Sequence, residues 1–231
     1  MKAMILAAGR GERLRPLTLE TPKPLLEVGC KPLIQWHLER LARAGIREVV
    51  INTAWLGERI ERALGDGGDF GVTIRYSREG TPMETLGGIR YALPLLEGGG
   101  GEDFLVINGD VWTDFDLSQL IKVPAPERDT LATLVLVANP NHHDGGDFTL
   151  TDSGRVLGEG EGRRYTFAGV SRLHAELIRR AHADEDRLGP VLKEACREKR
   201  VKGLYHDGAW FDVGNPERLD AADAHVRQYE L

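Results

Sequence analysis

Residues 2 to 8, KAMILAA, form a run that is apolar after Lys2 and stops at Gly9, the pattern of a central parallel strand buried on both faces. A helix is predicted from Pro32 to about Ala44. Pro32 suits a first helical position, Ile34, Leu38, Leu41 and Ala42 recur on one face, and Gly45 supplies the stop. EVVINTA then reads as a strand, Trp55 to Leu64 as a helix, VTIRYS as a strand, and Leu86 to Leu96 as a helix with an internal Pro94. Gly98 to Gly101 reads as a loose linker before FLVINGD, a further apolar strand that ends at Asp110. Strands alternating with helices predict a mostly parallel sheet with right-handed crossovers, whose ligands sit at the carboxyl ends of the strands. Gly9, Gly11 and Asp110 all fall at such ends.

Beyond residue 130 the rhythm changes. TLATLVLV reads as a strand, DFTLTDSGRVL as a hairpin turning at Asp152, Ser153 and Gly154, and YTFAGVSRL as another strand. Helices are expected near Ala175 to Ala183 and Leu188 to Lys199, then a short strand before WFDVG and a terminal helix from Pro216. The predicted fold class is therefore α/β: one three-layer domain over residues 1–231, with a mixed, mainly parallel sheet and helices on both faces.

Composition narrows the function classes. At 231 residues the chain is long enough for one large core, and no apolar run approaches the roughly 18 residues of a membrane span. The apolar start runs directly into Gly and Arg with no cleavage-type segment, so it is read as a strand and the protein as cytoplasmic. Cys30 and Cys196 have no metal-ligand spacing and predict no disulfide. The net charge of −6 argues against nucleic-acid binding. Residues 1 to 31 nevertheless hold six basic and three acidic side chains, a cationic segment that suits a small polyanion.

That segment carries the candidate chemistry. Gly9 and Gly11 free backbone N–H groups for a phosphate, yet the spacing fits neither a dinucleotide fingerprint nor a Walker A loop. The long constrained loop continues through Glu12, Arg13, Pro16 and Pro22-Lys23-Pro24. Prolines on both sides fix the backbone around Lys23, and Arg13 offers a planar fork for phosphate oxygens. Between a strand and a helix, Thr85 is a candidate helix cap, and Gly87 and Gly88 free the backbone there for close approach. His142 and His143 are adjacent in a loop and read as solvated or substrate-edge groups rather than a zinc pair. No Ser/His/Asp or Cys/His nucleophile constellation stands out.

LAAGRGERLRPLTLETPKPLLEVGCKPLI, followed by Asn108-Gly109-Asp110 and Trp210-Phe211-Asp212-Val213-Gly214, resembles the sugar-1-phosphate nucleotidyltransferases over nearly the whole chain. The resemblance implies a Rossmann-like nucleotidyltransferase fold, with residues 1–115 as the nucleotide-binding half and 116–231 as the sugar-phosphate half. It implies Mg²⁺ on Asp110 and Asp212, and catalytic roles for Arg13 and Lys23. Nucleotide contacts are implied for Gly9, Gly11, Glu12, Arg13, Lys23, Thr85, Gly87 and Asn108, and sugar contacts for Gly146 and Asp147. Asn215 departs from the pattern, since many relatives carry Thr there.

The runs YSREGTPMETLGGI, NGDVWTD and NPNHHDGGDF are more similar to the family's uridylyltransferases of peptidoglycan recycling than to its glucose or mannose enzymes. They imply UTP and N-acetylmuramate 1-phosphate as substrates, in a monomer or small homo-oligomer. The alternatives are a mannose-1-phosphate guanylyltransferase, a glucose-1-phosphate uridylyl- or thymidylyltransferase, a cytidylyltransferase, and a non-catalytic sugar-nucleotide sensor.

Overall fold

The structure is a computed structural model that describes residues 1–98, 101–122 and 129–229. The two middle glycines of the expected linker lie outside the described residues. Strands β1 (Lys2–Leu6), β2 (Glu48–Thr53), β3 (Thr73–Arg78) and β4 (Asp103–Asn108) pair in parallel in the order β4-β1-β2-β3. The remaining sheet strands are β5 (Ala132–Val137), β6 (Phe148–Leu150), β7 (Val156–Leu157), β8 (Arg164–His174) and β9 (Val201–His206). The eleven-residue β8 runs antiparallel to β4 on one side, and to β5 and β6 on the other, while β9 pairs in parallel with β5. Among the described residues this makes one nine-stranded mixed sheet.

Alternation along the inner strands builds a core on each face. Met4, Phe104 and Val106 point to one side, where they pack with α3 (Thr85–Leu96), α4 (Ala175–Arg179) and α5 (Leu188–Arg197). Ala3, Ile5, Leu105 and Ile107 point to the other, against α1 (Leu33–Arg43) and α2 (Gly57–Leu64). Both faces of β1 are apolar because both are covered, which is why its sequence reads as a run rather than an alternation. A third, smaller cluster gathers Leu14, Trp36, Trp112, Val213 and Val226, the last from α6 (Pro216–Tyr229), and ties the chain's end to its first loop.

The structure corrects three expectations. Pro32 is not helical: at φ −53 and ψ 138 it is extended, pairs with Glu27, and leaves Leu33 to begin α1. The helix expected to reach Ala183 ends at Arg179, because the Arg90 guanidinium draws the carbonyls of His182 and Glu185 into 3.0 and 3.1 Å hydrogen bonds. Thr85 is the first residue of α3, not its cap. The N–H groups of Leu86 and Gly87 instead donate to the distant Asp186 carbonyl, at 2.8 and 3.2 Å. Both cysteines are free, as expected.

Candidate active site

The cleft opens where β1 and β4 end side by side. Ala7 leaves the sheet with its N–H held by the Asn52 side chain at 2.7 Å. Gly11 then takes a left-handed turn, and a Cβ there would lie 2.8 Å from the Thr18 methyl while the Thr18 hydroxyl donates to the Gly11 carbonyl. Thr18 is buried, so the loop is fixed from beneath. Gly9 has open space where a Cβ would stand, and it borders the cleft. Arg13 reaches the cleft with no ion-pair partner among the described residues, whereas exposed Glu12 leans toward Arg15 at 3.6 Å.

Lys23 opens a short turn between its two prolines, and its side chain is 11% exposed. Its ammonium donates to Asp110 Oδ2 at 2.7 Å. Asp110 is delivered by a close approach: the Gly109 N–H bonds to the Leu6 carbonyl at 2.9 Å, and a Cβ on Gly109 would stand 2.4 Å from that same oxygen. A backbone oxygen cannot retreat as a side chain can. Gly109→Ala should therefore lose about 1 to 3 kcal/mol of stability, read as a lower denaturant midpoint with an unchanged slope.

Asp212 arrives from the far end of the chain. Trp210–Asp212 pairs antiparallel with Val111–Thr113, placing Asp212 opposite Val111, and the Val213 N–H donates to the Asp110 carbonyl at 2.8 Å. The two aspartates are thus neighbours on a hairpin-like ladder. Asp110 lines the cleft, and Asp212 is brought to its edge through Gly214. The Asp212 carboxylate accepts from Arg218 and has His142 Nε2 at 3.2 Å. A Cβ on Gly214 would overlap the Arg218 guanidinium and displace it from its present place against Asp212. Asn215 caps α6 in the way a threonine would, its Oδ1 accepting the Arg218 N–H at 2.9 Å.

The cleft has a volume of about 400 Å³ and holds Gly9, Gly11, Glu12, Arg13, Lys23, Thr85, Asn108 and Asp110 together. Gly87 is absent from its wall; it faces Asp186, whose Oδ1 would be 3.1 Å from a Cβ. A second cavity of about 530 Å³ continues from the first, sharing Glu84, Thr85 and Asn108, and is bordered by Gly146 and Asp147. The Asp147 carboxylate is already engaged, accepting the Phe167 N–H at 2.8 Å and facing His143 Nε2 at 3.0 Å. Arg164 binds the carbonyls of Gly145, Gly146 and Asp147, so this loop is braced across its width.

Sequence reasoning missed a buried polar chain behind the base-side loop. Asn52 donates to Glu79 at 2.7 Å, and the other Glu79 oxygen accepts the Met83 N–H at 3.0 Å. A Cβ on Gly88 would lie 2.6 Å from Glu79, so that glycine makes room for a carboxylate. The signal was present in Asn52, a polar residue near the end of the apolar strand β2, and in Glu79, just after β3. The Arg218 contact had no such signal, because only the fold brings α6 to Asp212.

A glycine loop, a lysine held against Asp110 and a second aspartate from a distant segment come together beside one cleft at the carboxyl ends of β1 and β4, an arrangement suited to nucleotidyl transfer. Residues 2–158 match the nucleotidyl transferase family, and the chain belongs to it. It is 52% identical, over 97% of both chains, to the N-acetylmuramate alpha-1-phosphate uridylyltransferase of Neisseria meningitidis. Identity to the protein of that name from Caulobacter vibrioides is 31%, over 98% of this chain and 97% of that one. The fold is shared with a crystal structure of a putative glucose-1-phosphate thymidylyltransferase from Bacillus anthracis, at TM-score 0.86 and 21% identity, covering 100% of this chain and 97% of that one.

Proposed function

We propose that this protein joins UTP to N-acetylmuramate 1-phosphate, releasing pyrophosphate, in the cytoplasmic recycling of peptidoglycan. The observation that carries the reading is the convergence of Lys23-bound Asp110 with the segment that carries Asp212, at a cleft that runs on into a second cavity. The likeness to the two uridylyltransferases over nearly their whole length supports the choice of nucleotide and sugar. Residues 1–115 would then supply most of the nucleotide side and 116–231 most of the sugar side.

The donor set fits Mg²⁺, which takes one or two carboxylates and completes its octahedron with water and phosphate oxygens. Asp110, in the turn just before Val111–Thr113, and Asp212, on the strand paired with it, are partly exposed carboxylates, with side chains 42% and 28% accessible. Among the described residues no cluster of three or more acidic, His or Cys side chains forms a closed protein cage. When bound there, Mg²⁺ would neutralise charge on the phosphates. Everything else falls to the chain itself. Arg13, Lys23 and the amides around Gly9 and Gly11 hold the triphosphate, while Thr85 and Asn108 stand where the two cavities join and orient the two substrates toward each other.

An oxygen of the sugar phosphate attacks the α-phosphorus, and pyrophosphate leaves from the opposite side. A phosphate monoester has its second pKa near about 6 and is already mostly dianionic at neutral pH, so the nucleophile needs no general base. A pyrophosphate-release screen of four triphosphates against a panel of sugar 1-phosphates should give its highest kcat/KM with UTP and N-acetylmuramate 1-phosphate. Preference for GTP with mannose 1-phosphate would refute the assignment.

A further inference from the structure

The second cavity carries more positive charge than an uncharged sugar ring requires. Arg164, Arg187 and Lys193 all border it, together with an apolar wall that includes Phe148, Phe167 and Leu188. The three cations are not equivalent. Arg164 is occupied with three backbone carbonyls of its own sheet edge. Arg187 uses only its Nε, 3.2 Å from Glu185, so both terminal nitrogens are without a partner among the described residues, and its side chain is 70% exposed. Lys193, on the next turns of α5, makes no hydrogen bond or ion pair among the described residues. Of the two acidic residues at this cavity, Asp147 has both oxygens engaged, and Glu84 lies on the side shared with the catalytic cleft.

We infer that Arg187, assisted by Lys193, forms a carboxylate subsite that reads the lactyl group of the sugar, and is thereby the specificity-determining residue of the acceptor side. The inference rests on the proposed function, because N-acetylmuramate differs from N-acetylglucosamine by one lactyl ether. That ether ends in a carboxylate and carries a methyl, which matches a guanidinium whose terminal nitrogens have no partner among the described residues, beside an apolar wall. The Asp186 carbonyl, next to Arg187, caps the first turn of α3 where Thr85 meets both substrates. The segment that would grip the carboxylate is therefore hydrogen-bonded to the element that divides the two cavities.

The test compares wild type, Arg187→Gln and Lys193→Gln with two sugars. Arg187→Gln should raise KM for N-acetylmuramate 1-phosphate by about 10- to 100-fold with little change in kcat, the range expected for a lost charge-assisted contact. Lys193→Gln should give a smaller rise. The inhibition constant of N-acetylglucosamine 1-phosphate, which has no carboxylate, should move by no more than about twofold, and UTP affinity by calorimetry should not move, as expected for a folded variant. An unchanged KM in Arg187→Gln, or an equal loss for both sugars, overturns the subsite while leaving the proposed activity standing. A wild-type enzyme that prefers the glucosamine sugar overturns the substrate reading and the subsite with it.

Discussion

Asp110→Ala and Asp212→Ala should each lower Mg²⁺-dependent pyrophosphate release by at least about 10³-fold, while the protein remains folded. The size of the effect follows from position rather than from loss of structure. Asp110 is 42% exposed, so removing its side chain opens no core cavity; Lys23, 11% exposed, loses its ion partner, which lowers stability without removing any packing. The Asp212 carboxylate is similarly shallow, and the ladder between Trp210–Asp212 and Val111–Thr113 is made of backbone bonds that alanine keeps. What disappears is negative charge beside the cleft, where two distant segments combine to offer it. One misplaced donor in such a site typically costs about 10²- to 10³-fold in rate, and loss of a metal ligand exceeds that. Asp212→Asn keeps the shape and the Arg218 contact, and should fail nearly as badly. Thermal melts within a few degrees of wild type, with turnover absent at any Mg²⁺ concentration, are the expected pair of results. Turnover above a tenth of the wild-type rate in either alanine variant would remove that aspartate from the metal site.

The parts of the molecule that sequence made legible share one property: their signals are local. β1, β2 and β4 announce themselves because burial on both faces demands unbroken apolar runs, β3 by its alternation, and the glycine loop because Gly11 and the prolines around Lys23 restrict the backbone within a few residues. The errors fall where a distant group overrides a local preference. Pro32 is an excellent first helical residue, but the Leu33 N–H is taken by the Leu26 carbonyl at 2.9 Å, and the proline is held in a strand. Thr85 is a competent cap, but a carbonyl about a hundred residues later occupies the helix end instead. Arg90 truncates a helix in the same way. Asp147, expected on the sugar side, does border the second cavity, but its carboxylate also fastens Phe167 beside a register shift in β8, a structural bond with no local signal. Each outcome depends on which backbone groups lie opposite, which no short window of sequence records.

Lowering the pH from 7 to 4 should remove about 3 kcal/mol of folding free energy through a single residue, His37. His37 lies on the inner face of α1, 4% exposed, with no partner for its Nε2. Burial first, and then the nearby Arg40 guanidinium, push its pKa down from 6.5 to about 4; a backbone hydrogen bond with Val111 and the charge of Asp110 oppose them without prevailing. The folded protein therefore binds this proton less readily than the unfolded chain does. Stability is complete above about 6.5 and declines as the pH falls toward 4, because the unfolded state gains the proton first. Carboxylates also titrate in this window, so the decisive measurement is a difference between variants. In His37→Leu the Val111 group loses its bond, which costs about 1 to 2 kcal/mol at pH 7. As the pH drops, the variant is spared the histidine's contribution, and its stability relative to wild type should improve by about 3 kcal/mol at pH 4, crossing over on the way. Parallel urea midpoints for the two proteins across this pH range would show a burial effect on His37 that is far smaller than stated.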